Sequence, residues 1–466
     1  MSPKKKLAML IAALPFAASA QSNAELKQEI EQLKAQVQQL RGATQQPGAA
    51  AGAVDPAEFN KVRVKVEALE DSQEAMGFKG MKLSGYIDPT YIYNKNWSKG
   101  SVLFLNNNYN ADPSGAINDF SQEDFYYGNS YFGGASLKFE KEMEGGVKTM
   151  LTLRPRRTVA NTYDFGSIVE EAGVWVPFHG LAWKAWAGQA ISWNGYEYVQ
   201  SYQKKNITSN LLLDYAGPGF ITGAGVEYQE GKWWVKTALG NLNSTHDNPG
   251  GSNQGAHWRV DYSKGEFQGW GASGMHGKII DQRYNYLEAD GYFIRGDWTV
   301  QGQIEGSAWK NSGFNGGDTG HKGISALTAY KFTPLFEGIV RADWLDNHKN
   351  GGGTPATVMG TNLCPADLGA DPTGATAAAD CGDYRGGFGP GTVFDTATGV
   401  WALGDPNVGA KRSALTLGLN YQYHLNGVLK FELRRDWSNL YSFREFDSGN
   451  YKKHNTTFGV QTVVSF

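Results

Sequence analysis

Three kinds of side-chain chemistry can be sought in this chain: nucleophilic catalysis, metal or sulfur chemistry, and fixed charge. The closest approach to a nucleophile is Gly271-Ala272-Ser273-Gly274 with His276 nearby. It does not form the G-x-S-x-G turn that exposes a serine beside its base, and its small alternating residues read as a strand. No phosphate-cradling glycine loop or dinucleotide fingerprint is present. The eight histidines are scattered, and the oxygen-rich run Asn106 to Asp124 lacks the fixed ligand spacing of a calcium loop. We therefore expect no catalytic residue, no cofactor and no metal. The two cysteines, Cys364 and Cys381, fall in one irregular stretch. In an exported chain they are expected to form a disulfide closing a loop of about 17 residues, a constraint of about 3 kcal/mol on the unfolded state.

Fixed charge is arranged with more order. Lys430, Glu432 and Arg434 alternate with Leu429, Phe431 and Leu433. Arg154 and Arg156 lie opposite Leu151 and Leu153, and Glu305 lies opposite Ile304. A period of two puts the members of each set on opposite faces of a strand. Were the apolar set turned to lipid, the inner set would comprise Arg154, Arg156, Lys236, Arg259, Arg341, Lys430 and Arg434, with Asp261, Glu305, Asp343, Glu432 and Asp436. A lysine or arginine facing lipid at mid-depth costs about 2–4 kcal/mol, so this register is strongly favoured. Rings of charge lining a pore set ion preference. Arg154 and Arg156 stand out because Arg157 adjoins them and no acid does; they are expected to favour anionic solutes. Mutual pairing inside a polar interior is the alternative for each of these charges.

The elements that must carry such a pattern are many strands. From about Lys82 onward, alternation recurs between turn signals such as Glu144-Gly145-Gly146, Glu230-Gly231-Lys232, Arg295-Gly296-Asp297 and Leu425-Asn426-Gly427. About 16 strands fit residues 79–466. The expected fold is all-β: an antiparallel transmembrane β-barrel wide enough for a water-filled channel. Tyr86, Tyr91, Tyr93, Trp175, Trp183, Trp186, Trp233, Trp234, Tyr421 and Tyr423 fall at or near strand ends, where interfacial girdles are placed; aromatics packing a sheet core are the equal alternative. Two long insertions, near 94–129 and 347–410, are expected to cap the mouth or fold into the lumen. The composition agrees: 60 glycines and 13% aromatic residues. The formal net charge of only -3 gives no reason to expect a nucleic-acid partner.

The start of the chain supplies an address. Lys4, Lys5 and Lys6, the apolar run Leu7 to Ala18 and the site Ala18-Ser19-Ala20 make residues 1–20 a secretory signal. Residues 21–41 carry a heptad seam through Leu26, Ile30, Leu33, Val37 and Leu40. A Gly/Ala/Pro linker spans 42–57, and a second seam in 58–78 runs through Phe59, Val62, Val66, Leu69, Gln73 and Met76. Helices this short are marginal alone, so they read either as an oligomerising coil or as an amphipathic helix lying on its own protein. The seam chemistry leans towards two helices.

The end of the chain completes the pattern. Phe458, Val460, Thr462, Val464 and Phe466 share one face of a last strand that stops on an aromatic residue. This resembles the closing strand of bacterial outer-membrane barrels, where Phe458, Val460, Val464 and Phe466 would serve as an assembly signal read by the barrel assembly machinery. With the signal, the short coil, Val340-Arg341-Ala342-Asp343-Trp344 and Glu432-Leu433-Arg434-Arg435-Asp436-Trp437-Ser438-Asn439, the chain resembles coiled-coil-preceded outer-membrane porins. These are the DcaP-like proteins and the β-barrel porin families of proteobacteria. The resemblance implies a homotrimeric passive channel for small hydrophilic, often anionic, solutes. It also implies an outer-membrane location in contact with lipid, with the coil in the periplasm. A tethering barrel whose coil reaches towards the cell wall, and a lipid-acting barrel enzyme, are the alternatives.

Overall fold

The computed structural model describes Val64 and residues 80–97, 99–100, 133–154, 156–157, 163–164, 168–216, 219–242, 253–263, 267–355, 388–445, 448 and 450–466. The signal, both heptad segments, the linker, Asn106 to Asp124, Cys364 and Cys381 lie outside the described residues, as do most of the 94–129 insertion and half of 347–410. By contacts the chain divides into residues 1–83 with Phe466, and residues 84–465. The second unit holds the barrel.

Its main sheet has 17 strands. One, Lys99–Gly100, is two residues long and pairs only with the end of the first strand. The other sixteen form the wall: β1 Met81–Asn94, β2 Gly133–Glu142, β3 Lys148–Leu153, β4 Val169–His179, β5 Trp183–Ile191, β6 Phe220–Glu230, β7 Trp233–Leu242 and β8 Gln254–Ser263. There follow β9 Gln268–Ile279, β10 Gln282–Arg295, β11 Trp298–Trp309, β12 Lys322–Lys331, β13 Phe336–Asp346, β14 Lys411–His424, β15 Gly427–Ser438 and β16 His454–Ser465. Each strand pairs with the next in sequence, antiparallel where the register is defined, and β16 returns to β1 with Tyr86 opposite Ser465 and Thr90 opposite Gln461. Closure leaves no sheet edge, the condition for a β-structure to sit in lipid.

The predicted turns are where the sequence places them. Gly231 and Gly296 adopt φ of 60° and 57° in the tight turns β6–β7 and β10–β11, a conformation that other residues take reluctantly. These turns share one end of the barrel with 143–147, 180–182 and 425–426, and the longer connections share the other. On the outer face, Trp183 packs on Tyr228 at 4.7 Å, Trp233 on Tyr262 at 4.8 Å, Trp298 on Tyr330 at 4.6 Å and Phe336 on Tyr421 at 4.8 Å, all near the short-turn end. Above this girdle Val300, Ile304, Val340, Leu417, Leu433 and Phe458 are exposed. A contiguous apolar wall of that kind is stable only in lipid. Tyr86, Trp175, Trp186 and Trp234 depart from the girdle expectation: alternation turns each of them inward.

The interior is not uniformly polar. Trp186, Ile221, Leu242, Met275, Ile279, Tyr284, Tyr286 and Trp309 form a buried apolar cluster inside β5–β11. Beside it runs an inward row of paired glycines: Gly173 opposite Gly188, then Gly223, Gly240, Gly255 and Gly277. A Cβ on Gly223 would stand 2.1 Å from the carbonyl oxygen of Leu239, and one on Gly240 2.1 Å from that of Thr222. The wall bends so tightly here that neighbouring backbone fills the place of a side chain.

Candidate functional site

The loop 192–219 between β5 and β6 folds into the barrel, and its position is set by charges on the opposite wall. Glu432 of β15 accepts hydrogen bonds from the Ile207 amide (2.7 Å), the Thr208 amide (3.1 Å) and the Thr208 hydroxyl (2.5 Å). Arg341 of β13 donates to Thr208 O (2.7 Å), Ser209 O (2.9 Å) and Glu197 Oε1 (2.9 Å), and its Nε meets Asp343 at 3.2 Å. Arg434 of β15 donates to Ser209 O (2.8 Å) and to Asp436 (3.0 Å). Lys430 Nζ donates to Ser201 O and Lys204 O, both at 2.7 Å. Asn420 Nδ2 donates to Lys205 O at 2.9 Å, and Lys205 pairs with Glu337 at 2.5 Å. Irregular backbone cannot be buried with its carbonyls unpaired, so the strand cations take the place of a ladder partner.

Apolar contacts seat the same loop. Leu211, Leu212 and Ala216 pack with Leu345, Phe388 and Ala414, and Tyr196 packs with Leu327, Ala329 and Ile339. A short turn of helix, Leu212–Ala216, is started by Asn210, whose Oδ1 accepts the Leu213 amide at 2.7 Å. Burial lowers the pKa of Lys204 and raises that of Asp214, each against the attraction of the other. On β1, Asp88 meets Ser201 and the Gly134 amide through short hydrogen bonds.

The far side of the loop faces the remaining lumen. Tyr198 is 56% exposed and Tyr202 44% exposed, and Tyr202 lies 5.6 Å from the ring of Tyr86. The wall across from them carries inward charge from β2 to β8. Glu140 is shared by Lys138 (3.2 Å) and Lys148 (2.9 Å). Lys148 lies 5.9 Å from the ring of Trp175, whose Nε1 donates to Glu227 at 3.0 Å. Lys236 stands 3.6 Å from the ring of Trp234 and 5.5 Å from that of Trp193. Arg259 is bound by Asp261 at 2.7 Å and by Asp290 at 2.8 Å.

The residues predicted to line a pore therefore divide. Lys236, Arg259 and Asp261 keep partial exposure on the inner wall. Arg341, Asp343, Lys430, Glu432, Arg434 and Asp436 point inward but are buried, none of them more than 4% exposed, so they meet protein and not open water. Glu305 is also buried, held by Tyr286 (2.9 Å) and Gln303 (2.8 Å) and 3.2 Å from His321. Arg154 does have an acid: Glu170, displaced inward where the β3–β4 register shifts, pairs with it at 2.8 Å. Arg156 lies in a two-residue strand opposite Asp164, and its side chain is outside the described residues. Phe458 and Val464 face outward on β16, which ends at Ser465.

Sequence reading missed the loop itself, along with Glu197, Lys138, Glu140 and Lys148. The one available signal was the interval 192–219, too long for a turn and without alternation, between two clear strands.

The chain belongs to the family described as "Protein of unknown function (DUF3138)", which it matches over residues 56–257 and 262–466. No curated protein matches it. Among solved structures it is similar to an anion-selective porin from Comamonas acidovorans, with 11% identity, a TM-score of 0.48 and coverage of 83% of this chain and 99% of that one. It is also similar to the trimer form of OmpT, an outer membrane protein of Vibrio cholerae (10% identity, TM-score 0.48, 83% and 99% covered). A third similar structure is OmpF of Salmonella typhi (10% identity, TM-score 0.46, 83% and 97% covered).

Proposed function

We propose that this member of the family is an outer-membrane porin, a passive channel for small hydrophilic solutes in which no bond is made or broken. The observation that supports this reading is the loop 192–219 held inside the barrel by buried charge; the path would run between the exposed Tyr198 and Tyr202 and the inward Lys138, Glu140, Lys148 and Lys236. A fixed constriction edged by ionisable groups separates solutes by size and sign. Anionic solutes would be drawn by Lys138, Lys148 and Lys236, which share that wall with Glu140, Glu227 and Asp261. Arg341, Asp343, Lys430, Glu432, Arg434 and Asp436 act by positioning the loop, and Lys236, Arg259 and Asp261 act on the solute. The terminal face of Phe458, Val460, Val464 and Phe466 serves as the assembly signal. The heptads at 21–41 and 58–78 form a periplasmic coil of a homo-oligomer, and Cys364 and Cys381 pair within their loop.

The test is recording in planar bilayers. The folded protein is expected to give discrete water-filled channels, and Lys148→Gln with Lys236→Gln to move the reversal potential towards cation preference. Correctly folded protein without conductance would replace this reading with that of a plugged, tethering barrel.

A further inference from the structure

At the end of the barrel that carries the longer connections, β9 and β10 are joined by only two residues, Ile280 and Asp281, at φ of 49° and 60°. Flanking that turn, Lys278 stands directly opposite Arg283 in the ladder. The Lys310 amide, just past β11, donates to the Arg283 carbonyl at 2.9 Å and carries the row on to a third strand. Ile279, Tyr284 and Trp309, next in sequence to each of these, are buried inside the barrel, so alternation turns Lys278, Arg283 and Lys310 outward. All three are exposed. Like charges directly opposite one another destabilise a sheet. Farther round the rim the chain avoids this: Asp346 stands between Lys322 and Lys411 in the ladders of β12 to β14 and pairs with Lys411 at 3.1 Å. Here the ladder sets cation against cation. Asp318 holds Lys310 Nζ at 2.5 Å and Asp281 lies in the turn, but the side chains of Lys278 and Arg283 have no hydrogen bond or ion pair among the described residues.

The depth of the row indicates what kind of anion it would meet. From Phe293, exposed at the short-turn end of β10, to Arg283 the tilted strand rises about 24 Å, against a hydrocarbon-facing band about 25 Å tall. Within that rise Leu287 of β10 and Ile304 of β11 face outward, 56% and 57% exposed. The cations therefore stand where acyl chains give way to headgroups, directly above an apolar column on the same strands. One outward step below Arg283, Asn285 accepts from His276 Nδ1 at 3.3 Å through its side-chain oxygen, while His276 Nε2 accepts from Trp258 Nε1 at 3.3 Å. That arrangement leaves the Asn285 side-chain amide as a further donor beside the row.

We propose that Lys278, Arg283 and Lys310 bind the phosphate of a lipid headgroup in the leaflet at the long-connection end of the barrel. The planar guanidinium of Arg283 is built to take two phosphate oxygens, and the ammonium groups on either side take the others as point charges. A bound phosphate turns the repulsion between Lys278 and Arg283 into shared attraction, and the acyl chains below it cover Leu287 and Ile304. The proposal rests on the outer-membrane barrel proposed above and adds the headgroup chemistry that one part of its outer wall selects.

The test uses the full chain folded in a neutral detergent, with phosphatidic acid as the probe and diacylglycerol of the same acyl chains as the competitor that differs only in the phosphate. Folding is checked by the heat-shifted gel mobility of closed barrels, and bound lipid is counted by native mass spectrometry. The unaltered barrel is expected to retain phosphatidic acid about tenfold over diacylglycerol. Lys278→Gln with Arg283→Gln is expected to remove that preference, and Lys322→Gln, in the row that already holds a carboxylate, to keep it. Should the double variant not fold, Arg283→Gln alone decides. Undiminished retention by the variant at 278 and 283, or an equal loss from Lys322→Gln, overturns the site. Binding of inorganic phosphate that depends on the same two side chains, without retention of phosphatidic acid, overturns lipid as the occupant. Conductance plays no part in the readout: a barrel that keeps the lipid and never conducts removes the channel reading alone.

Discussion

Arg341 shows how one side chain holds a loop inside the barrel. It holds two loop carbonyls and two carboxylates while fully buried. Removing one partner of a buried ion network leaves the others charged and unpaired, at a cost of about 3–5 kcal/mol. Arg341→Ala is therefore expected to lower the thermal midpoint and to give larger, noisier channels as residues 205–210 come away from the wall; Arg435→Ala, an exposed outward arginine on β15, is expected to leave both unchanged. Single-channel recording beside thermal unfolding decides it. At this scale orientation was legible and burial was not. Alternation with Leu429, Phe431 and Leu433 fixes where Lys430, Glu432 and Arg434 point, but what they meet comes from a segment far upstream with no periodicity to announce it. The pairing of Arg154 with Glu170 was hidden for a related reason: a register shift between β3 and β4 turns Glu170 inward, and a bulge leaves no mark in hydrophobic pattern.

Among elements, the loop and the glycine row make opposite demands. The loop is an addition to a wall that closes without it, since β5 and β6 already pair from Ile191 with Phe220 to Trp183 with Tyr228. Replacing residues 195–216 by a short Gly-Ser connection is expected to leave a folded barrel of higher conductance and weaker ion preference. A fall to no conductance would show that the loop is needed for the channel to exist. The glycine row belongs to the wall itself. Gly240→Val is expected to abolish the heat-shifted band, because its Cβ would meet a backbone oxygen at 2.1 Å. Gly302→Ala, whose nearest neighbour would be 3.7 Å away, is expected to change stability by less than about 0.5 kcal/mol. Strands and turns were readable because period two and the turn glycines are local signals. The bend was not, because a glycine in one strand says nothing of the glycine opposite it until the register is known.

For the whole molecule, closure and the greasy exterior followed from alternation, while the interior was simplified: inside β5–β11 it holds a packed apolar cluster. The closed wall also carries a consequence for how the molecule comes into being. Thr208 waits on Glu432 at a separation of 224 residues, and Ser209 on Arg434 at 225. Contacts so distant along the chain form late and slowly. Until β13 to β15 have joined the wall, residues 207–209 lack the partners that seat them. The last third of the polypeptide thus supplies the berth for a segment made from its middle.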